Sequence, residues 1–222
     1  MTPTVLAIDT STRWAGVAVS KGDASESLTW RSNQNHGREL LPNINAVLEE
    51  ADVALKDVEL IAVAKGPGGF SALRVGIATA RGLTIANDVP LIGISTFLIE
   101  AWPHLGTSSN VVSLIDAGSS GVAWCQLAPQ DKGIVAEPVE RGVSTFAEVV
   151  GRVPEGTLFC GEPCGEITNL VSPSQILSKE HPARSPISLI EIVQLLHASG
   201  KAIAEDDLEP DYARPPSISK PK

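Results

Sequence analysis

The sequence predicts a two-lobed α/β fold, and three observations point to it. The element order β-β-β-α-β read over residues 5–64 recurs over residues 111–160 without sequence identity, a topological repeat. The first strand of each run ends on an aspartate, Asp9 and Asp116, followed by small polar residues and glycine. The core material is Val, Ile, Leu and Ala, since apolar residues make up 43% of the 222-residue chain and aromatics only 4%.

The elements follow from the pattern. Residues 5–8 are a short apolar run of β-formers, a buried strand closed by Asp9-Thr10-Ser11-Thr12. Residues 14–19 form a second strand, ended by the turn signal Lys21-Gly22-Asp23, and residues 25–31 alternate as a third. Residues 39–51 place Leu40, Leu41, Ile44, Val47, Leu48 and Ala51 at helical spacing. A strand at 60–64 is broken by Gly66-Pro67-Gly68-Gly69, and a second helix runs over 71–86. A strand at 91–94 leads into a third helix ending near Trp102. The second half has strands at 111–115, 122–127 and 134–139 and a helix at 144–150 with Ser144 as expected N-cap. A strand at 157–160 and a helix at 188–198 complete it. The expected organisation is a lobe over 1–104, a second, smaller or irregular lobe over 105–204, and an exposed arm over 205–222 that is acidic and then Pro-rich. Two such lobes with a cleft between them describe the architecture of actin and the sugar kinases.

Charge and cysteine content narrow the function. The formal charge is −9, with no basic run, so the chain alone is poorly equipped to neutralise phosphates. If RNA is involved, another subunit supplies most of the grip. Cys125, Cys160 and Cys164 are an odd, sparse set, unlike a disulfide framework or a zinc site. The amino terminus has no basic n-region, and no stretch approaches the ~20 apolar residues of a membrane span, which gives a cytoplasmic expectation.

Several segments could carry chemistry. Asp9-Thr10-Ser11 could bring a carboxylate and backbone N–H groups to a nucleotide phosphate and Mg²⁺, or could simply close a strand turn. Gly68 and Gly69, between a strand and a helix, could approach an anion, or could serve only as a turn; the Lys-Ser/Thr of a P-loop is missing. The helix over 71–86 is apolar or small around most of its circumference, with Ala72, Gly76 and Ala80 recurring every four residues. Such a helix is covered on more than one side, either inside the chain or by a partner. No two of His36, His104, His181 and His197 are four apart, and no nucleophile constellation is recognisable, so neither a metal site nor a catalytic residue is expected. His36 could cap the first helix or be solvated.

Four segments together resemble the TsaB (YeaZ) family of bacterial threonylcarbamoyladenosine biosynthesis proteins. They are Val5-Leu6-Ala7-Ile8-Asp9-Thr10-Ser11-Thr12, His36-Gly37-Arg38-Glu39-Leu40-Leu41-Pro42, the run from Val63 through Gly66-Pro67-Gly68-Gly69-Phe70 to Arg74-Val75-Gly76, and Pro90-Leu91-Ile92-Gly93-Ile94-Ser95-Thr96. The match covers about the first 100 residues. In the second half the family's Asp-Ala-Arg and Glu-Val-Tyr stretch reads Asp116-Ala117-Gly118-Ser119-Ser120-Gly121-Val122-Ala123-Trp124, without the Arg and Glu. Pro210-Asp211-Tyr212-Ala213-Arg214 is similar to the family's closing Pro-x-Tyr-Leu-Arg.

The resemblance implies an actin-like, ribonuclease H-like (ASKHA) fold, each lobe a mixed sheet with helices. It implies a non-catalytic scaffold subunit that pairs with the metal-bearing transferase paralogue TsaD and the ATPase TsaE, or with itself in isolation. The complex modifies the adenosine next to the anticodon, so tRNA is contacted indirectly. Pairing through the first two helices puts Leu40, Asn43, Ile44, Val47, Ala72, Leu73, Gly76, Ile77 and Ala80 at the contact. No cofactor is expected to bind tightly, and ATP or ADP with Mg²⁺ enters only in the assembled complex. The competing expectation is a catalytic actin-like ATPase or small-molecule kinase holding Mg²⁺ on Asp9 and Asp116, with Asp9, Thr10, Ser11, Gly68 and Gly69 as the candidate nucleotide contacts; a peptidase is disfavoured by the missing histidine pair and nucleophile.

Overall fold

The first five strands form one mixed sheet: β1 (Val5–Asp9), β2 (Trp14–Lys21), β3 (Ala24–Arg31), β4 (Leu60–Gly66) and β5 (Leu91–Ser95), in the order β3-β2-β1-β4-β5. The structure is a computed structural model and describes residues 2–106, 110–128, 135, 137–177, 183–204 and 207–213. β1 to β3 are antiparallel hairpin neighbours, while β4 and β5 add in parallel. A parallel neighbour needs a crossover. Helices α1 (His36–Glu50) and α2 (Phe70–Asn87) supply the two crossovers.

The second sheet repeats the pattern one strand shorter. It comprises β6 (Val111–Asp116), β7 (Val122–Leu127), β8 (Pro138–Ser144) and β9 (Leu158–Cys160), in the order β8-β7-β6-β9. Again the first three strands are antiparallel and the fourth joins in parallel. α3 (Thr96–Ala101) precedes this sheet, α4 (Phe146–Arg152) lies within it and α5 (Pro186–Ala198) follows it.

Strand alternation explains the layers. In β1, Leu6 and Ile8 face a core shared with α1 and α2, whereas Val5 and Ala7 face a second core. In β6, Val111 and Ile115 face that same second core, and Val112 and Leu114 face a third, beneath α4. The middle core contains Phe97, Leu98 and Ile99 of α3 and Leu189, Ile190, Ile192 and Val193 of α5. The order through the molecule is therefore α1 and α2, first sheet, α3 and α5, second sheet, α4.

Four details differ from the pattern-based expectation. α5 comes from beyond the second sheet, yet it packs on β1 and β2 of the first, because Val5, Ala7 and Ala18 need an apolar cover. The expected strand at 134–139 is β8 at Pro138–Ser144; residues 129–134 and 136 lie outside the described residues. The N-cap of α4 is Thr145, not Ser144: its hydroxyl accepts from the Glu148 amide and the Glu148 carboxylate returns to the Thr145 amide. That reciprocal pair needs a three-residue spacing, which Ser144 does not have. Finally, the expected exposed arm is not exposed throughout, because Leu208 is buried in the α1–α2 core. The rest of the arm, residues 205–206 and 214–222, lies outside the described residues, as does His181.

Candidate functional site

The turn after β1 is the natural place to look for a phosphate and cation site. Asp9, Thr10 and Ser11 are all buried there. The Ser11 amide and hydroxyl both donate to Asp9 Oδ1, at 2.8 and 2.6 Å. Thr10 Oγ1 donates to the Ala72 carbonyl in the first turn of α2 at 2.7 Å. The Gly69 amide donates to the Ser11 carbonyl at 2.7 Å, and a Cβ on Gly68 would collide with that same carbonyl oxygen. Asp9, Thr10, Ser11, Gly68 and Gly69 are thus brought together, but their polar groups are satisfied by one another. Gly68 is required for close backbone approach.

The other side of the turn is filled by Arg184, only 3% exposed. Its Nε donates to Asp9 Oδ2 at 2.8 Å, and Nη2 donates to Ser11 Oγ and Thr12 Oγ1, each at 3.0 Å. Nη1 donates to Glu162 Oε1 at 3.3 Å and stands 3.6 Å from Glu100 Oε2. The Thr12 hydroxyl also donates to Glu162. The guanidinium therefore joins β1, α3, the loop after β9 and the residues that lead into α5.

The electrostatics follow from this geometry. Burial alone pushes the Asp9 carboxyl up, but the Arg184 charge, with hydrogen bonds from Arg184 and Ser11, outweighs burial and leaves it below the ordinary carboxylate value. Burial likewise pulls Arg184 down, but Asp9, Glu100 and Glu162 together raise it above its ordinary value. A guanidinium cannot act as a general base. Both Asp9 oxygens are taken, and a cation is already present. The residues here do not fit a magnesium-bound phosphate. Asp116, the second strand-end aspartate, accepts from the Gly118 amide at 2.8 Å and lies 4.0 Å from Arg13, outside this cluster.

Sequence patterning missed Arg184, Glu100 and Glu162. Glu100 did carry a signal: a carboxylate inside Phe97-Leu98-Ile99-Glu100-Ala101 has to find a cation once that helix is buried.

The α1–α2 pair needs a correction. Leu40, Ile44, Val47, Leu73, Gly76, Ile77 and Ala80 are buried within the chain itself. They face the first sheet, and a Cβ on Gly76 would overlap Thr10 Oγ1. The four-residue spacing of small residues in α2 lets the helix settle onto the turn after β1, so these side chains are not on the outer surface. Asn43 and Ala72 are half-buried at its margin. The outward stripe consists of Leu41, Pro42, Asn45 and Ala46 on α1 and Ala78, Gly82, Ile85 and Ala86 on α2. Ile85 is 83% and Leu41 49% exposed, and Arg38 and Glu49 on α1 and Arg74 on α2 are exposed on the same faces.

The remaining candidates are structural. His36 is buried at the start of α1, with Nε2 2.9 Å from the Thr12 carbonyl. Cys125, Cys160 and Cys164 are buried cysteines, and burial, in spite of Arg141, pushes the Cys125 thiol up to about 11. A thiol-specific reagent is therefore expected to label none of the three in native protein and all of them in 6 M-scale denaturant. Fast stoichiometric labelling of the native state would contradict this burial.

Comparison with known proteins gives a consistent picture. The model of the family TsaD, tRNA N6-adenosine threonylcarbamoyltransferase, matches residues 31–158. The tRNA threonylcarbamoyladenosine biosynthesis protein TsaB of Escherichia coli K12 is 27% identical over 224 aligned residues, covering 95% of this chain and 94% of that protein. TsaB of Buchnera aphidicola subsp. Schizaphis graminum is 39% identical over 127 residues, 56% of this chain and 60% of that protein. The structure of YeaZ from Pseudomonas aeruginosa superposes with a TM-score of 0.77 at 26% identity, over 95% of this chain and 99% of the other. The two mixed sheets and their helices have the actin-like, ribonuclease H-like architecture.

Proposed function

This chain belongs to the family of TsaD, tRNA N6-adenosine threonylcarbamoyltransferase, and we propose that it acts in forming threonylcarbamoyladenosine in tRNA as a non-catalytic partner subunit. The observation that carries this reading is the patch of small and apolar side chains on the outer face of α1 and α2, where Leu41, Ala46, Ala78, Gly82, Ile85 and Ala86 are exposed to water. An apolar stripe of small side chains suits close packing against a matching helix pair. The partner it fits is the metal-bearing TsaD-like paralogue, with a second copy of this chain as the alternative occupant in isolation and a TsaE-like ATPase joining the pair.

Arg184 supports the non-catalytic half of the proposal. It neutralises the strand-end carboxylate at the place where a nucleotide-bound cation would sit. The purified chain is then expected to hydrolyse no ATP, and to hold no stoichiometric metal. The formal charge of −9 supports tRNA contact through the partner. Among the described residues no helix is long and apolar enough to cross a membrane. A role on tRNA supports a cytoplasmic location.

The test uses Gly82→Arg. A Cβ at Gly82 meets nothing within 4 Å, so the monomer tolerates the change. Sedimentation and pull-down of the paralogue from the same genome should show pairing weakened at least about tenfold, which corresponds to ~1.4 kcal/mol. Circular dichroism should be unchanged. A folded variant that pairs with wild-type affinity would place the interface elsewhere. ATP turnover by the clean chain would remove the non-catalytic assignment.

A further inference from the structure

Residues 207–213 lie in a slot along the flank of α2, built in four places. Leu208 fills an apolar hole beside Ile77, Ala80 and Leu91 in the outer core. Asp207 pairs with Arg81 at 2.6 Å. The Asp211 amide donates to the Lys65 carbonyl at 2.7 Å, and its carboxylate meets Arg141 of β8, on the second sheet, at 2.6 Å. The Tyr212 ring stacks on Phe70 with centroids 5.0 Å apart, while Arg74 Nε donates to the Tyr212 hydroxyl at 2.9 Å and its guanidinium lies 3.9 Å from the centre of the Phe70 ring.

The slot is shaped for a backbone. Gly66 has φ of +118°, and a Cβ there would overlap the Asp211 carbonyl oxygen. No L side chain fits while the segment is in place. Ala213 then reaches the core between the two sheets. Seven residues thus pass from the outer core, across the end of β4, to the edge of the second sheet.

We propose that residues 207–213 form a detachable strap, held in this slot as an internal peptide ligand, whose release is local and leaves both sheets folded. Its two ion pairs are open to solvent on at least one side: the Asp207 side chain is 92% and its partner Arg81 38% accessible, and Arg141 is 57% and Asp211 31% accessible. Exposed ion pairs hold weakly. The firm anchors are therefore the Leu208 hole and the Tyr212–Phe70 stack. Tyr212 also walls a groove of about 530 Å³ between Gly68–Phe70 and the Asp116–Gly118 turn. Release of the strap removes that wall and frees Phe70 at the tip of α2. The strap thereby governs access to the groove between the lobes.

Elements that open locally exchange their amides with little dependence on denaturant, whereas global unfolding depends on it steeply. The test is amide hydrogen exchange followed by NMR on the full chain in low urea. The Asp211 amide should exchange by a nearly urea-independent opening, while β1 and β6 amides follow global unfolding. Tyr212→Ala should speed exchange at Asp211 at least tenfold with β1 and β6 unchanged, and Tyr212→Phe, which keeps the ring but loses the bond from Arg74, should fall between. If Asp211 exchanges with the urea dependence of β1, the strap is part of the global core and the proposal fails. It fails equally if Tyr212→Ala accelerates all three regions alike or none of them.

Discussion

Replacing Arg184 by methionine is expected to cost about 3–5 kcal/mol of stability, the range found when one partner of a buried ion pair is removed. Methionine keeps much of the volume and the apolar stem. It leaves Asp9 and Glu100, both buried, and half-buried Glu162 facing one another without their cation. The Ser11 and Thr12 hydroxyls lose a donor as well. Arg184→Lys should recover only part of the loss, since an ammonium cannot reach Asp9, Ser11, Thr12 and Glu162 at once. Urea midpoints at neutral pH measure the effect, and equal midpoints for parent and Arg184→Met would refute it.

The same variant has a pH signature. In the parent protein the Asp9 carboxyl is lowered, so its share of stability is complete above the unfolded value near 3.9 and is lost as pH falls through the still lower folded value. Without Arg184, burial, the largest influence on Asp9, is opposed only by the two hydrogen bonds from Ser11, and Asp9 rises. The variant then takes up a proton in the folded state before the unfolded chain does. Its deficit relative to the parent should shrink as pH falls from neutrality toward about 4. A gap that stays constant over that window would mean that charge is not what Arg184 supplies.

Gly76→Arg is the second large effect, expected to destabilise the chain by upwards of about 3 kcal/mol or to prevent folding. The first added carbon already overlaps Thr10 Oγ1, whose hydrogen bond to Ala72 seats α2 on the turn after β1. The rest of the side chain would carry a charge to the buried seat of α2 on Thr10. Gly82→Arg, on the outward stripe of the same helix, is the control. It should stay within about 1 kcal/mol of the parent, on the stabilising side, because glycine is a poor helix former. Thermal melts of the pair decide the matter, and a Gly76→Arg protein as stable as Gly82→Arg would mean that α2 is seated differently.

The sequence by itself determined the two-sheet α/β class, the repeated strand order and most helix positions. Those properties are local: period-2 and period-3.6 spacing, glycine breaks and strand-end polar residues are set within a few positions of each other. It also singled out Asp9-Thr10-Ser11, Gly68-Gly69 and the small-residue face of α2 as unusual. What it left open was what they face. A helix that is apolar nearly all round has no inner side in its own pattern, and the inner side of α2 was decided by Thr10, 66 residues away from Gly76 in the chain. Arg184 meets Asp9 across 175 positions, and Tyr212 meets Arg74 across 138. No periodicity links residues so far apart. Only the closing of α5 and the strap onto the first sheet brings those charges and rings together, and it is burial there, away from water, that makes the Arg184–Asp9 pair at the end of β1 depend on its partners.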